Sequence, residues 1–151
     1  MTDKIMLKII NPIGKEAWTE LYEISKAVEI YINNTELINI LYELEKPYAT
    51  SEGNPSLAGR YGHLTPKEFF DNLTKAKTPD EYHKEYGTEI LCCDGCGDSG
   101  CWSICVFIKY DDDYVYWYKF RHNHRDWKYD ISYKFDKTEY EKTLEALKNH
   151  I

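Results

Sequence analysis

Apolar and polar side chains alternate along this chain with two periods, and each period predicts one kind of element. A period of two residues predicts β-strands over 4–10, 28–32, 88–93, 101–110, 114–120 and 131–135. A spacing of three and four predicts a helix that Thr35 caps and Pro47 ends. The apolar stripe of this helix consists of Leu37, Ile38, Leu41 and Leu44. Segment 15–27 fits both periods and stays open, with a strand slightly favoured.

Three more helices are predicted from capping boxes, in which Thr or Asp at the N-cap is followed three residues later by Glu. The boxes begin at Thr65, Thr78 and Asp136, and a proline follows each threonine at the first helical position. The second of these helices closes at Gly87. The buried face of the last helix is predicted to carry Tyr140, Leu144 and Leu147. Residues 47–63 have the glycine and proline content of a long loop, which makes them a candidate binding element.

The order of these elements predicts the fold class. Consecutive strands with short connections pair antiparallel, and helices need a sheet face to cover. We therefore expect an α+β fold: a single domain over 1–151, mainly antiparallel sheet, with helices packed on one face and a C-terminal helix. A chain of 151 residues, of which 42% are hydrophobic, is long enough to bury one such core.

Charge and cysteine content narrow the classes of function. The net charge of −7 argues against nucleic-acid binding, because phosphate recognition needs clustered Lys and Arg, and it favours a basic protein partner. No apolar run approaches the ~20 residues of a membrane helix, and residues 1–4 do not begin a secretory signal. Five cysteines, an odd number, are typical of a reducing compartment rather than of a disulfide framework. We expect a cytoplasmic protein with no nucleic-acid or membrane partner.

Candidate chemistry is concentrated in residues 92–101, which hold four of the five cysteines. Cys93 and Cys96 are separated by two residues and followed by Gly97, which is the spacing of a zinc knuckle. Cys101, which is separated from Cys96 by four residues, offers a third thiolate. We expect either no cofactor or one structural zinc ion, for which these three sulfurs are the consistent protein ligands.

Geometry excludes the other two cysteines from such a site. Zinc holds its sulfurs about 4 Å apart, since each Zn–S bond is about 2.3 Å. On a regular strand Cys105 would lie about 13 Å from Cys101, and Cys92 would face away from Cys93. A fourth ligand is predicted from His122 or His124, if the loop that follows the strand folds back. Two alternatives stay open: a glycine-rich hairpin whose thiols are small buried hydrophobes, and redox or nucleophilic cysteine chemistry.

Residues 122–127 are a second concentration of reactive side chains. His122, His124, Arg125 and nearby carboxylates could supply an acid, a base and an anion clamp. A nuclease interpretation of the His-Asn-His letters is rejected, because three adjacent residues do not form a ββα-metal site and the net charge opposes DNA. We favour a structural loop in which His and Arg bond to the backbone and stack on Trp127 or Tyr129.

The strand over 114–120 carries large aromatic rings on both faces. One face can bury against helices, whereas the other needs a second layer or a partner to cover it. Exposed Trp, Tyr and Arg side chains are common anchors of protein interfaces. The candidate partner-binding residues are therefore Trp117, Tyr118, Arg125 and Trp127.

Several short motifs resemble a group of small bacterial proteins. The motifs are the Cys-Gly-x-x-Gly-Cys-Trp turn at 96–102, the His-Arg-x-Trp-x-Tyr segment at 124–129 and the helix start at 135–141. Segments 32–37 and 57–61 are similar to the N-terminal half of the same group. The resemblance spans most of the chain and implies a single bacterial domain. It assigns no catalytic residue, because the group has no established activity.

These observations lead to one expected function and one alternative. Acidity, aromatic content and the lack of a complete catalytic constellation predict a non-enzymatic protein-binding domain, such as an immunity-type or inhibitor protein. The alternative is a small metal-stapled or cysteine/histidine-dependent enzyme, which would use the turn cysteines with His122 and His124.

Overall fold

The computed structural model describes residues 1–13, 16–98 and 100–151. The strands are β1 Ile5–Ile10, β2 Ala27–Ile32, β3 Thr35–Glu36, β4 Tyr61–His63, β5 Thr88–Cys93, β6 Ile104–Tyr110, β7 Tyr114–His122 and β8 Tyr133–Asp136. The helices are α1 Ala17–Leu21, α2 Leu37–Ser51, α3 Pro66–Lys75, α4 Glu81–Tyr86 and α5 Lys137–Glu145, with two short 3-10 turns at Pro55–Leu57 and Ala146–His150. In this part of the chain, no helix combines the length and the apolar character that a membrane crossing requires.

The strands form two antiparallel sheets, one of order β1-β2-β3 and one of order β4-β5-β6-β7-β8. Strands that are neighbours in sequence pair with each other, through a tight turn between β2 and β3 and through helices between β1 and β2 and between β4 and β5. Asn33 and Asn34 turn β2 into β3 with φ angles of 51° and 69°, which is the backbone that a tight hairpin needs. The α+β fold with its antiparallel sheets and C-terminal helix confirms the sequence-based expectation.

Backbone hydrogen bonds and one aromatic core join the two sheets. The amide of Val28 on β2 donates to the carbonyl of Leu64, just after β4, at 2.9 Å. Asp3 exchanges bonds with Lys134 on β8, since each residue's backbone N–H donates to an oxygen of the other at 2.8 Å. Between the five-stranded sheet and α5, the indole of Trp117 donates to the hydroxyl of Tyr140 at 3.1 Å.

Segment 17–21 is a short helix, so the favoured strand was wrong there. The hydroxyl of Thr19 donates to the carbonyls of Glu16 at 2.6 Å and Pro12 at 3.1 Å, which holds a tight turn in place of a strand ladder. The buried ring of Trp18 anchors this turn to the protein. Gly14 and Lys15, part of the predicted turn and of the ambiguous segment, lie outside the described residues.

Helix α2 differs from its prediction at both ends. Thr35 does not cap it, because Thr35 pairs with Ile32 in the hairpin and Glu36 takes the N-cap position. Pro47 does not end it, and the helix continues to Ser51. Ala49 is wholly buried beyond the proline, so tertiary packing outweighs the backbone hydrogen bond that proline cannot make. Residues 47–63 are therefore mostly structured rather than one long loop.

A buried carboxylate fastens α2 to the rest of the fold. Glu45 accepts hydrogen bonds from the amide of Gly59 at 2.8 Å, from the hydroxyl of Tyr129 at 2.6 Å and from the hydroxyl of Tyr61. Three donors satisfy a charge that would otherwise be costly to bury. The contact fixes β4 and the segment after β7 relative to α2.

Two of the three helix starts predicted from capping boxes have their N-cap at the predicted residue. Thr65 and Glu68 form the predicted reciprocal box at α3, and Asp136 accepts from the amide of Glu139 at α5. At α4 the cap is Asp80 instead of Thr78, so the helix starts two residues later than the box implied. The helix does close at Gly87, whose φ of 85° favours glycine.

Candidate functional site

Three cysteines meet at the corner that follows β5. Cys93 ends the strand, Cys96 lies in the turn and Cys101 lies in the segment before β6. Their sulfur atoms all lie within 4.8 Å of one another. This convergence confirms what the spacing predicted for these three residues. Ser99, which belongs to the same turn, is outside the described residues.

The electrostatics of the corner single out one sulfur. Burial raises the pKa of Cys93, but backbone N–H groups of Cys96 and Gly95 and the thiols of Cys101 and Cys96 donate to its sulfur and lower that pKa below its ordinary value. Hydrogen bonds to the other two sulfurs raise the pKa of Cys101 to about 12. Cys93 is thus the preferred thiolate, and backbone donors surround it as they surround the sulfurs of metal-binding knuckles.

Packing against α1 closes the corner. Gly97 has a φ of 74°, and a Cβ atom there would come within 2.6 Å of the Trp18 ring. The amide of Gly97 donates to the carbonyl of Cys93 at 3.0 Å, which completes the turn. Glycine is therefore required at 97 for both its backbone and its close contact. Arg60 adds an exposed ion pair to Asp94 at 3.1 Å.

The other two cysteines do not join this group, as expected. Cys92 is buried on the opposite face of β5, and burial raises the pKa of its thiol. Cys105 lies on β6 and lines a different cleft, where burial raises the pKa of its thiol to about 11. Both thiols are protonated near neutral pH and are poor nucleophiles.

The two predicted histidine ligands point elsewhere. His124 donates from Nε2 to the carbonyl of Gly100 at 2.6 Å. The backbone amide of His124 donates to Nδ1 of His122 at 2.9 Å. Within the described chain, the three-sulfur group includes neither imidazole. The loop does fold back toward the cysteine turn, but it brings hydrogen bonds instead of a fourth ligand.

His122 is enclosed by aromatic rings. Its ring centroid lies 3.9 Å from that of Trp102, 5.5 Å from that of Trp127 and 6.1 Å from that of Tyr61. Burial lowers the pKa of His122 to about 4, and the positive charges of Arg125, His124 and Arg121 contribute. At neutral pH this histidine is an uncharged member of the core.

Of the four predicted contact residues, the structure places Trp117 in the core with 0% of its surface exposed. A fully enclosed ring offers nothing to a partner, and the reason lies in α5, which covers that face of β7. Tyr118, on the opposite face, is half-buried, and its ring centroid lies 6.0 Å from that of Phe107.

Arg125 and Trp127 form an organised pair around Glu52. The guanidinium Nε of Arg125 donates to both carboxylate oxygens at 3.0 and 3.2 Å, and the indole of Trp127 donates to one of them at 2.7 Å. The guanidinium also lies 5.1 Å from the ring centroid of Trp102 and 6.0 Å from that of Trp127. Trp127 itself is only 6% exposed, and Arg125 also donates to the carbonyl of His124. These contacts are of the structural kind that the sequence predicted for this loop.

A groove of about 870 Å³ runs between this pair and β7. Its lining mixes cations, carboxylates and aromatic rings: Lys119, Arg121, Arg125, Lys128, Glu85, Asp126, Asp130, Tyr48, Phe120 and Trp127. Lys119 has a φ of 51°, where the pairing of β6 with β7 shifts register. A lysine in that backbone region is strained, and such strain concentrates where a side chain must be aimed at a site.

Sequence reasoning missed a second set of converging ligand atoms. Glu29, Glu36 and His63 each contribute one atom to a group whose members lie within 4.8 Å of one another. They come from three different strands, so no local spacing links them. The only available signal was the placement of glutamates in a hairpin otherwise rich in apolar residues.

No protein-family model, curated protein or solved structure matches this chain. The resemblance of the short motifs to a bacterial group stays a prediction. The structural features that bear on function are the cysteine corner, the groove and the second ligand group.

Proposed function

We propose that this protein is a non-enzymatic cytoplasmic domain that binds a protein partner, in the manner of an immunity-type or inhibitor protein. The observation that carries the proposal is the groove between β7 and the Arg125–Trp127 pair. It presents Tyr48, Arg121 and Arg125 as accessible side chains beside a wall that contains Trp127, and arginine and tyrosine are among the residue types that most often dominate the energetics of protein interfaces.

Preorganisation supports this use of the groove. Arg125 is already held by Glu52 and stacked on two indoles, so little side-chain entropy remains to be lost when a partner binds. Lys119 is directed by a strained bulge, and Lys128 is exposed at the rim. A rigid aromatic wall with charged side chains at its edge is the arrangement of an interface core and its rim.

Charge and thiol content support the kind of partner and the compartment. The net charge of −7 speeds encounter with a basic protein and slows encounter with an acidic one. All five cysteines are free thiols, which is consistent with the reducing cytoplasm. The enzyme alternative, which would use the turn cysteines with His122 and His124, has weaker support, because among the described residues the three-sulfur group includes neither imidazole.

Co-purification from the source cells tests the proposal. We expect the wild-type chain to retain a partner that Arg125→Ala and Asp130→Lys lose, while Asp112→Lys, which changes an exposed aspartate in the turn between β6 and β7 that does not line the groove, retains it. Association with that partner should slow as the salt concentration rises, since opposite charges are screened. Failure to recover any stable partner, together with failure to protect cells from a toxin encoded beside it, would contradict the proposal.

We further propose that Cys93, Cys96 and Cys101 hold a structural zinc ion. The supporting observation is the convergence of three sulfurs with backbone N–H groups directed at Cys93. Thiolates are the ligands that structural zinc prefers, and their protons leave when the ion binds. The zinc would close the loop between β5 and β6 and so hold the turn rigid beside Trp18.

Metal content of the purified protein tests the zinc proposal. After dialysis against a weak chelator that removes exchangeable ions, one equivalent of zinc is expected in the wild type and in Cys105→Ser, whereas Cys96→Ser should lose it. Cys105→Ser is a matched control because it removes a thiol from the neighbouring strand without touching the three-sulfur group. Folded wild-type protein that stays free of zinc after incubation with the ion would refute this assignment.

A further inference from the structure

The second ligand group lies where the two sheets meet. Glu29 belongs to β2 and Glu36 to β3 of the three-stranded sheet, while His63 ends β4 of the five-stranded sheet. One ligand atom from each lies within 4.8 Å of the other two. The His63 side chain is 9% exposed, so its imidazole is directed into this junction rather than into solvent.

Two neighbours orient these ligands. Glu16 places Oε2 3.1 Å from Nδ1 of His63, and its Oε1 accepts from the amide of His63 at 2.7 Å. The hydroxyl of Tyr31 donates to Glu29 at 2.8 Å. Carboxylates behind a histidine, and hydrogen bonds to a ligating carboxylate, are the outer supports that metal sites regularly carry.

The tautomer of His63 leaves one nitrogen unused. A carboxylate only accepts, so Nδ1 of His63 donates its proton to Glu16. Nε2 is buried and has no hydrogen-bond partner in the described structure, although Glu36 Oε1 lies 3.4 Å away. A neutral imidazole would direct a lone pair at two carboxylates, and three electron-rich groups at this separation favour a cation among them, either a proton on Nε2 or a metal ion.

We propose that Glu29, Glu36 and His63 form a binding site for a divalent transition-metal ion, separate from the cysteine corner. One imidazole nitrogen and two carboxylate oxygens suit Mn²⁺, Fe²⁺ or Zn²⁺, whereas thiolates select softer ions. Three protein ligands leave coordination positions open for water or another small ligand. The site therefore binds an exchangeable ion rather than one enclosed on all sides.

The position of the site gives the ion a structural consequence. It would link β2 and β3 to β4, beside the backbone hydrogen bond from Val28 to Leu64 that joins the sheets there. An ion that binds the folded protein and not the unfolded chain raises stability by mass action. Occupancy would thus couple the N-terminal hairpin to the larger sheet.

Manganese is the probe that separates this site from the cysteines. We expect electron paramagnetic resonance to show that the full-length protein removes one equivalent of free Mn²⁺ from solution. Cys96→Ser should bind the same amount, because the thiolates are not manganese ligands. Glu36→Gln and His63→Gln should abolish binding, and Glu16→Gln should weaken it by about 10- to 100-fold, as loss of an outer-shell support does.

A matched control and a second readout make the result decisive. Glu43→Gln changes an exposed glutamate on α2 and should leave Mn²⁺ binding unchanged. In nuclear magnetic resonance spectra, Mn²⁺ should broaden the ring signals of His63 at lower occupancy than those of His122, which lies three strand spacings, about 14 Å, across the sheet. Unchanged His63 signals, or Mn²⁺ binding that survives both Glu36→Gln and His63→Gln in folded protein, would overturn the proposal. Failure of zinc binding at the cysteines alone would not affect it.

Discussion

Two histidines are buried in this molecule, and their surroundings give them opposite chemistry. His63 is 7% exposed and His122 is 1% exposed, so burial does not distinguish them. Burial lowers the pKa of His63, but the hydrogen bond to Glu16 and the negative charges of Glu16, Glu36 and Glu29 raise it above its ordinary value. His63 is therefore poised to hold a cation, whether a proton or a metal ion.

The surroundings of His122 shift its pKa in the opposite direction. Its Nδ1 accepts a backbone hydrogen bond, so the proton of the neutral ring is on Nε2, and the ring packs against Trp102. Burial, followed by the nearby positive charges, lowers its pKa to about 4. Protonation would place a second cation next to Arg125 in an aromatic enclosure. A buried histidine is thus suited to hold a cation when carboxylates face its free nitrogen, and to remain an uncharged core ring when aromatic groups and cations surround it.

The largest expected effect is the loss of the carboxylate behind His63. Glu16→Ala removes the acceptor of three donors, the amide and Nδ1 of His63 and the indole of Trp18. Breaking one side of such a buried pair should lower the free energy of unfolding by about 3–5 kcal/mol. Urea unfolding in the presence of a chelator measures it. As a control, Glu20→Ala on the exposed side of α1 should change the free energy of unfolding by less than about 0.5 kcal/mol. An equally small loss for Glu16→Ala would contradict the role of Glu16 as the acceptor behind His63.

The second-largest effect should be the stabilisation by bound Mn²⁺, which should depend on His63 and not on His122. Mn²⁺ at a hundred times its measured dissociation constant should raise the free energy of unfolding by about 2.7 kcal/mol. His122→Phe should keep this gain and His63→Gln should lose it, because only His63 faces the carboxylates. Chemical unfolding with and without the ion measures the difference. If the stabilisation by Mn²⁺ disappeared in His122→Phe, the assignment of the metal site to His63 would be wrong.

The pH dependence of stability isolates His122. Its folded-state pKa of about 4 lies below the unfolded value of about 6.5, so the unfolded chain binds more protons and stability falls as pH drops from about 7 to about 4. Between pH 7 and pH 5 this single group should remove about 2 kcal/mol. His122→Phe, which keeps a ring but cannot bind a proton, should lose that part of the pH dependence. Parallel stability profiles for the two proteins over this window would show that His122 does not titrate as described.

How far the sequence predicted this molecule depends on how local each signal is. The box at Thr65 and the cap at Asp136 were predicted because the residues that form each of them are close in sequence. The cysteine corner was predicted for the same reason, since its three ligands span nine residues of one turn.

What the sequence did not predict depends on distant partners. Pro47 lies inside α2 because burial of Ala49 outweighs a local rule. The His63 group draws its ligands from three strands and its support from the segment before α1, so its members are adjacent only after both sheets have formed. His122 was predicted as a possible metal ligand because it is close in sequence to other reactive residues. In the structure its ring is enclosed by aromatic rings instead.

The smallest effect should come from the charge next to His122. Arg125 is the first of the positive charges that depress the pKa of His122, after burial. Its side chain is about one-third exposed, so solvent screens most of its influence. Arg125→Ala should therefore raise the pKa of His122 by a fraction of a unit, and Lys142→Ala on α5 should leave it unchanged. Ring signals followed by nuclear magnetic resonance across the acid range measure the shift. A pKa restored to its ordinary value by Arg125→Ala would mean that charge, and not burial, sets the state of this histidine, and the contrast with His63 would then rest on charge alone.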